Sequence, residues 1–240
     1  MKQNRFGASL VVLAATVLAA GPARADVKTD QAIAKAEEQF AKGKADEAIK
    51  SLAKLATGSP SVEAYLALAR LQEMNGTGAE AEASLAKAIE ASASATPTLK
   101  ARALAAQARM ALKVGTGKQA IDLARKAVDA EKNAHSLGTL ASAHARAGDA
   151  KAAHAAADAA IAAGANESAA HLGKGDALSA SGEIEAAVAA YRKAVELDAK
   201  NVPAQVGLAY ALVAAGKNTE ARAVAQKAVD FDKNSGPAYA

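Results

Sequence analysis

Apolar and polar positions recur along this chain in one block, seen most cleanly from Ser181 to Asn201, SGEIEAAVAAYRKAVELDAKN. Behind Gly182 the stretch returns an apolar residue at Ala187, Tyr191 and Ala194, with Glu, Arg and Lys between them. Spacing of three and four residues is that of an amphipathic helix with one buried stripe. The same glycine occurs at Gly43, Gly76, Gly115, Gly148, Gly182 and Gly216, separated by 33, 39, 33, 34 and 34 residues. Five residues after each stands an alanine: Ala48, Ala81, Ala120, Ala153, Ala187 and Ala221. Twelve residues after come Leu55, Ala88, Ala127, Ala160, Ala194 and Ala228, and seven before come Ala36, Ala69, Ala108, Ala141, Gly175 and Ala209. Each glycine is therefore expected to turn the chain between two helices whose small residues let them approach closely.

A period near 34 with these small positions resembles the tetratricopeptide repeat family, and the resemblance covers residues 30–234. It implies an all-α fold, a right-handed superhelical solenoid of about six helix-turn-helix units. Their expected bounds are 29–61, 62–95, 101–133, 134–167, 168–201 and 202–234, with a partial helix at 235–240. Nine residues after the glycine, where the family prefers a large aromatic, the series reads Leu52, Leu85, Ala124, Ala157, Tyr191 and Ala225. Only the fifth unit carries the aromatic. The 39-residue interval places its extra residues in 91–97, ASASATP, expected to form a longer loop or a lengthened helix end.

Composition agrees with helices, because alanine, the best helix former, supplies 73 of the 240 residues against seven aromatic side chains. The first residues read differently. Lys2 and Arg5 precede an apolar run from Ala8 to Ala20, then Gly21-Pro22 and Ala23-Arg24-Ala25. That order is a secretory signal peptide, with cleavage expected after Ala25 and a mature domain at 26–240. The run is too short for the ~20 residues that span a bilayer. Removal of Lys2, Arg5 and Arg24 would leave 26 basic against 25 acidic residues, a net charge of +1. Such a balance argues against nucleic acid or anionic lipid as a partner. The chain has no cysteine, hence neither a disulfide nor a lipid-modified cysteine anchor. Export to a periplasm, with no membrane anchor after cleavage, is the expectation.

No catalytic residue is expected. Gly115-Thr116-Gly117-Lys118-Gln119 lacks the glycine and the Ser or Thr of a phosphate loop, since Leu112 and Gln119 stand there. His135, His144, His154 and His171 show no ligand spacing, so no metal or cofactor is expected, and His144 and His171 fall at packing positions. What the resemblance does imply is a concave groove lined by the first helix of each unit. Read off on that basis, the groove holds Arg70, Met74, Arg102, Arg109, Lys113 and Arg146, with Glu63 and Glu73 as acidic members. Leu172, Val206 and Tyr210 make its far end more apolar, beside Asp176 and Val213. The implied role is a non-catalytic adaptor holding peptide or helix segments of protein partners, acidic ones in the middle, within an envelope assembly or secretion system. The Lys, Asn, Asn, Lys, Arg set by which some family members clamp carboxylate tails is missing. A second reading is a structural arm of a larger exported protein, such as a polysaccharide-export component, with self-association through an uncapped C-terminal end.

Overall fold

In a computed structural model, residues 27–115 and 117–231 are described, and they form twelve α-helices, one 3₁₀ turn and no strand. The helices come in six consecutive pairs. These are α1 (Val27–Ala41) with α2 (Ala45–Gly58), α3 (Val62–Met74) with α4 (Gly78–Ala91), and α5 (Pro97–Lys113) with α6 (Gly117–Ala130). They continue with α7 (Ala134–Arg146) and α8 (Ala150–Ala163), α9 (Ser168–Ala180) and α10 (Ile184–Leu197), α11 (Val202–Ala214) and α12 (Asn218–Phe231). The leader at 1–25 and the partial helix at 235–240 lie outside the described residues.

All six repeat glycines have positive φ, from 75° to 85°. Nothing lies within 4 Å of where a Cβ would sit at Gly43, Gly115, Gly148, Gly182 or Gly216, so the backbone conformation, and not room, selects glycine there. The turn closes the first helix of a pair with reverse hydrogen bonds. The N–H of Lys44 donates to the Gln39 carbonyl at 3.0 Å, and that of Glu183 to Leu178 at 2.9 Å, satisfying carbonyls that the helix ends leave open.

Behind each turn the expected alanine is buried: Ala48, Ala81, Ala120, Ala153 and Ala187 are fully enclosed and Ala221 nearly so. Odd-numbered helices pack against one another along the stack, α1 on α3, α3 on α5, α5 on α7, α7 on α9 and α9 on α11. Even-numbered helices pack on the odd helices flanking them. This arrangement makes an inner layer of odd helices and an outer layer of even ones, an all-α solenoid in which each unit touches its neighbours.

α7 crosses α9 at close range. A Cβ on Gly138 would run into the Ala169 carbonyl, and one on Gly173 would lie 2.6 Å from the Gly138 carbonyl oxygen. Only hydrogen fits at that crossing. One unit along, the ring of Tyr191 fills a slot left by two further glycines, with a Cβ at Gly175 or Gly207 falling 2.5 Å from ring carbons.

The third unit starts earlier than the sequence spacing suggests. After α4 the chain makes a 3₁₀ turn, Ser92–Ser94, and α5 then begins at Pro97, four residues before the expected 101. Thr96 caps it, accepting from the Leu99 N–H at 3.4 Å, and proline fits the first turn because its missing N–H has no intrahelical partner there. The extra residues of the long interval therefore lengthen a helix and do not form a free hinge. At the last junction Asn201 caps α11 and donates through Nδ2 to the Ser168 hydroxyl at 2.8 Å, which donates to the Ala194 carbonyl at 2.8 Å. That chain of bonds ties three helices of units 5 and 6 together.

Candidate functional site on the inner face

The inner layer brings the candidate basic residues onto one side of the stack, but not as five free cations. Arg70 on α3 meets Glu37 of α1 at 3.2 Å, and Lys113 on α5 pairs with Glu73 of α3. Both pairs join neighbouring units and both are largely exposed, so each contributes little stability, on the order of 0–1 kcal/mol. Their effect on the groove is larger: two of the five positive charges are already answered within the protein.

Arg109 is different. It sits on α5 in the inner layer, half-buried, and its Nη1 donates to Nε2 of His135 on α7 at 3.0 Å. That acceptor is neutral. The His135 pKa is pushed down to about 3, first by burial and then by the nearby Arg109 and Arg102 charges. An imidazole accepting at Nε2 carries its proton on Nδ1. Burial also lowers the pKa of Arg109 itself, a pull opposed by Glu73 and reinforced by Arg102. Glu73 is engaged by Lys113. The guanidinium is thus partly desolvated and has a neutral imidazole where a carboxylate would normally stand.

Arg146 lies one unit further, on α7, at an open pocket of about 310 Å³ lined by Leu112, Ser142, Ala145, Arg146, Asp176 and Tyr191 among others. Tyr191 on α10 donates its phenol to Asp176 Oδ1 on α9 at 2.7 Å. The sequence assigned Tyr191 to packing and Asp176 to a mainly apolar stretch; the fold joins them at the pocket floor.

The remaining candidates divide. Met74 and Leu172 are half-buried, each packing part of its side chain against a core cluster. Tyr210 and Val213 on α11 are 51% and 55% exposed and stand one helical turn apart at the far end. The histidines are dispersed. His144 is buried with Nδ1 3.6 Å from Asp149, His154 shares a 2.7 Å hydrogen bond with Ser181, and His171 Nε2 lies 2.8 Å from the Ala165 carbonyl. Among the described residues no group of three His, Asp or Glu is placed to hold a metal ion, and no helix is long and apolar enough to cross a membrane.

Family models described as tetratricopeptide repeat match residues 33–96 and 139–202 in one case and 178–240 in another. The chain belongs to the tetratricopeptide repeat family. The stretch that neither model matches holds most of the third unit, where the long interval and the lengthened α5 disturb the register.

Solved structures agree on the fold. A thermophilic tetratricopeptide repeat protein of Thermus thermophilus superposes with a TM-score of 0.57 at 19% identity, covering 74% of this chain and 95% of its own. A tetratricopeptide repeat protein from Parabacteroides merdae gives 0.51 at 17% identity, covering 88% of this chain and 82% of its own. A chain of the Cut9-Hcn1 hetero-tetramer of APC/C gives 0.58 at 15% identity, covering 88% of this chain and 41% of its own. No curated protein sequence matches the chain.

Proposed function

We propose that this protein is an exported adaptor whose inner face holds a carboxylate-bearing peptide segment of a protein partner, with Arg109 as the principal contact. A protein-interaction scaffold is what the tetratricopeptide architecture provides. The observation that carries the finer reading is the Arg109 guanidinium, partly desolvated beside Arg102 and bonded to a neutral histidine. A ligand carboxylate would supply the missing counter-charge where charge-assisted hydrogen bonds are strong. Arg102 and Arg146 extend the positive strip, while Arg70 and Lys113, held by Glu37 and Glu73, are secondary. An extended segment or a helix laid along the odd helices suits this surface.

The leader, with Lys2, Arg5, the 8–20 apolar run and Ala23-Arg24-Ala25, supports export to the periplasm with cleavage after Ala25. On this reading the partner belongs to an envelope assembly or secretion system. Crosslinking pull-down from a periplasmic extract tests the reading, comparing the native protein with Arg109→Glu. Charge reversal is expected to reduce recovery of the partner by at least about ten-fold, the loss of one charge-assisted contact. Equal recovery by both forms would reject Arg109 as the anchor.

A further inference from the structure

A second subsite of opposite charge lies beside the first. Asp176 projects from α9 into the floor of the 310 Å³ pocket, and the walls above it are largely apolar: Leu112, Ala145, Ala180 and the ring of Tyr191. Its carboxylate accepts from the Tyr191 phenol at 2.7 Å, and the Ser142 hydroxyl, which donates to the Gly138 carbonyl at 3.2 Å, stands at the same pocket. Both hydroxyls are neutral. Arg146 stands at the same pocket, exposed, and pulls on Asp176 electrostatically, yet no side-chain nitrogen of it comes within ion-pair distance of that carboxylate among the described residues. Burial raises the Asp176 pKa above the ordinary carboxylate value despite the opposing pull of the Ser142 and Tyr191 hydroxyls and the Arg146 charge. A carboxylate floor beneath apolar walls matches a long aliphatic stem ending in a cation. The Tyr191 ring adds a face on which that cation is favourable. At about 310 Å³ the pocket is at the small end of ligand sites, room for one side chain and not for a large ligand.

We propose that the Asp176 pocket between α7, α9 and α10 takes a lysine or arginine side chain of the bound segment, whose neighbouring acidic group meets Arg146 and Arg109. The inference rests on the inner face being a peptide groove, and it adds polarity to it. Carboxylate goes to α5 and α7, ammonium or guanidinium to α9, and the two together fix the direction in which the segment lies.

Four terminally blocked, fluorescein-labelled heptapeptides on one alanine–serine background test this, carrying a glutamate, a lysine, both, or neither. Anisotropy titrations use the mature full chain as wild type, Asp176→Asn and Arg109→Gln. Lysine is expected to strengthen wild-type binding about ten-fold, the range of a hydrogen bond to a charged group, and Asp176→Asn to abolish that gain. Arg109→Gln is expected to leave the lysine gain in place while removing the glutamate gain. A lysine gain absent from wild type, or one that survives Asp176→Asn, overturns the pocket assignment. A lysine gain present without any glutamate gain instead overturns the carboxylate reading and leaves the pocket standing. Binding of none of the four peptides at millimolar concentration overturns both. Asparagine still accepts from Tyr191, so the variant should fold. Should it not, amide shifts of Ala145, Ser179 and Ala180 in wild type decide: movement with the lysine peptide and not with its alanine counterpart supports the proposal, and equal movement rejects it.

Discussion

Replacing Tyr191 by alanine is expected to destabilise the C-terminal units by about 4 kcal/mol, the usual range for emptying a large aromatic site in a packed interior. The ring is 4% exposed and occupies a slot that three helices make together. Its own helix, α10, supplies it, while Gly175 on α9 and Gly207 on α11 stand back to admit it. Alanine would leave a cavity bounded by glycines, which have no side chain to move into it. The phenol is lost as well, leaving Asp176 without its 2.7 Å donor at a site where burial already disfavours the charge. Tyr191→Phe keeps the ring and separates the two effects, with an expected cost of about 1 kcal/mol. Because repeats contact only their neighbours, the loss should appear as early melting of α9 to α12 and not as a uniform shift. Urea titration followed by circular dichroism, with amide exchange to locate the opening, measures both variants. A Tyr191→Ala protein that unfolds at the wild-type midpoint would contradict the keystone role.

Acid should weaken the protein well above the pH at which carboxylates titrate, and His135 is the reason. In the folded chain this imidazole stays neutral down to about pH 3, because burial and the Arg109 and Arg102 charges oppose its protonation. Unfolded, it binds a proton near the ordinary imidazole value of 6.5. The stability it contributes is therefore complete above pH 6.5 and is lost as pH falls toward 3, because the unfolded state takes up the proton first. Each pH unit in that window costs about 1.4 kcal/mol, so roughly 3 kcal/mol is gone by pH 4. His144 adds in the same direction, since burial lowers its pKa against the pull of Asp149. In His135→Gln the amide oxygen replaces Nε2 as acceptor for Arg109 and does not titrate. The difference in unfolding free energy between wild type and His135→Gln should narrow steadily from pH 7 to pH 4 if glutamine packs less well at this site, and open in favour of glutamine if the two are matched at pH 7. A constant difference across that range would show that His135 is as readily protonated in the fold as outside it. A carboxylate ligand at Arg109 should reduce the effect, since it offsets the positive charge that holds the proton off.

The repeat register was legible because it is carried by backbone chemistry. A left-handed residue after the first helix of each pair needs glycine, and the alanine five residues on lies at a buried helix crossing; these demands are local and leave a periodic trace. The third unit escaped exact placement because its extra residues join α5 through the Thr96 cap and Pro97, an outcome that a loop of small residues does not exclude.

Charge was harder to read. Arg70 and Glu37 are 33 residues apart and Lys113 and Glu73 are 40 apart, pairs that exist only because adjacent units stack in that register. Met74 and Leu172, inner-face residues by helix position, also touch core clusters, a contact that their spacing in the sequence does not show. Asp176 and Tyr191 were each marked by their repeat positions, but their meeting in one pocket was not, because it depends on Tyr191 reaching back from α10 through a gap left by glycine. Isolated polar residues on separate helices become a site only through such a contact.

On the proposed reading the partner lies along the inner layer of odd helices. Site-specific photocrosslinking in the exporting cell decides this, with the reactive residue placed at Leu112 or Ser142 on the inner face, or at Lys126 or Glu185 on the outer helices. A discrete partner adduct is expected from the two inner positions, lost with Arg109→Glu, and none from the outer pair. Adducts confined to Lys126 and Glu185, or formed equally from both faces, would contradict it.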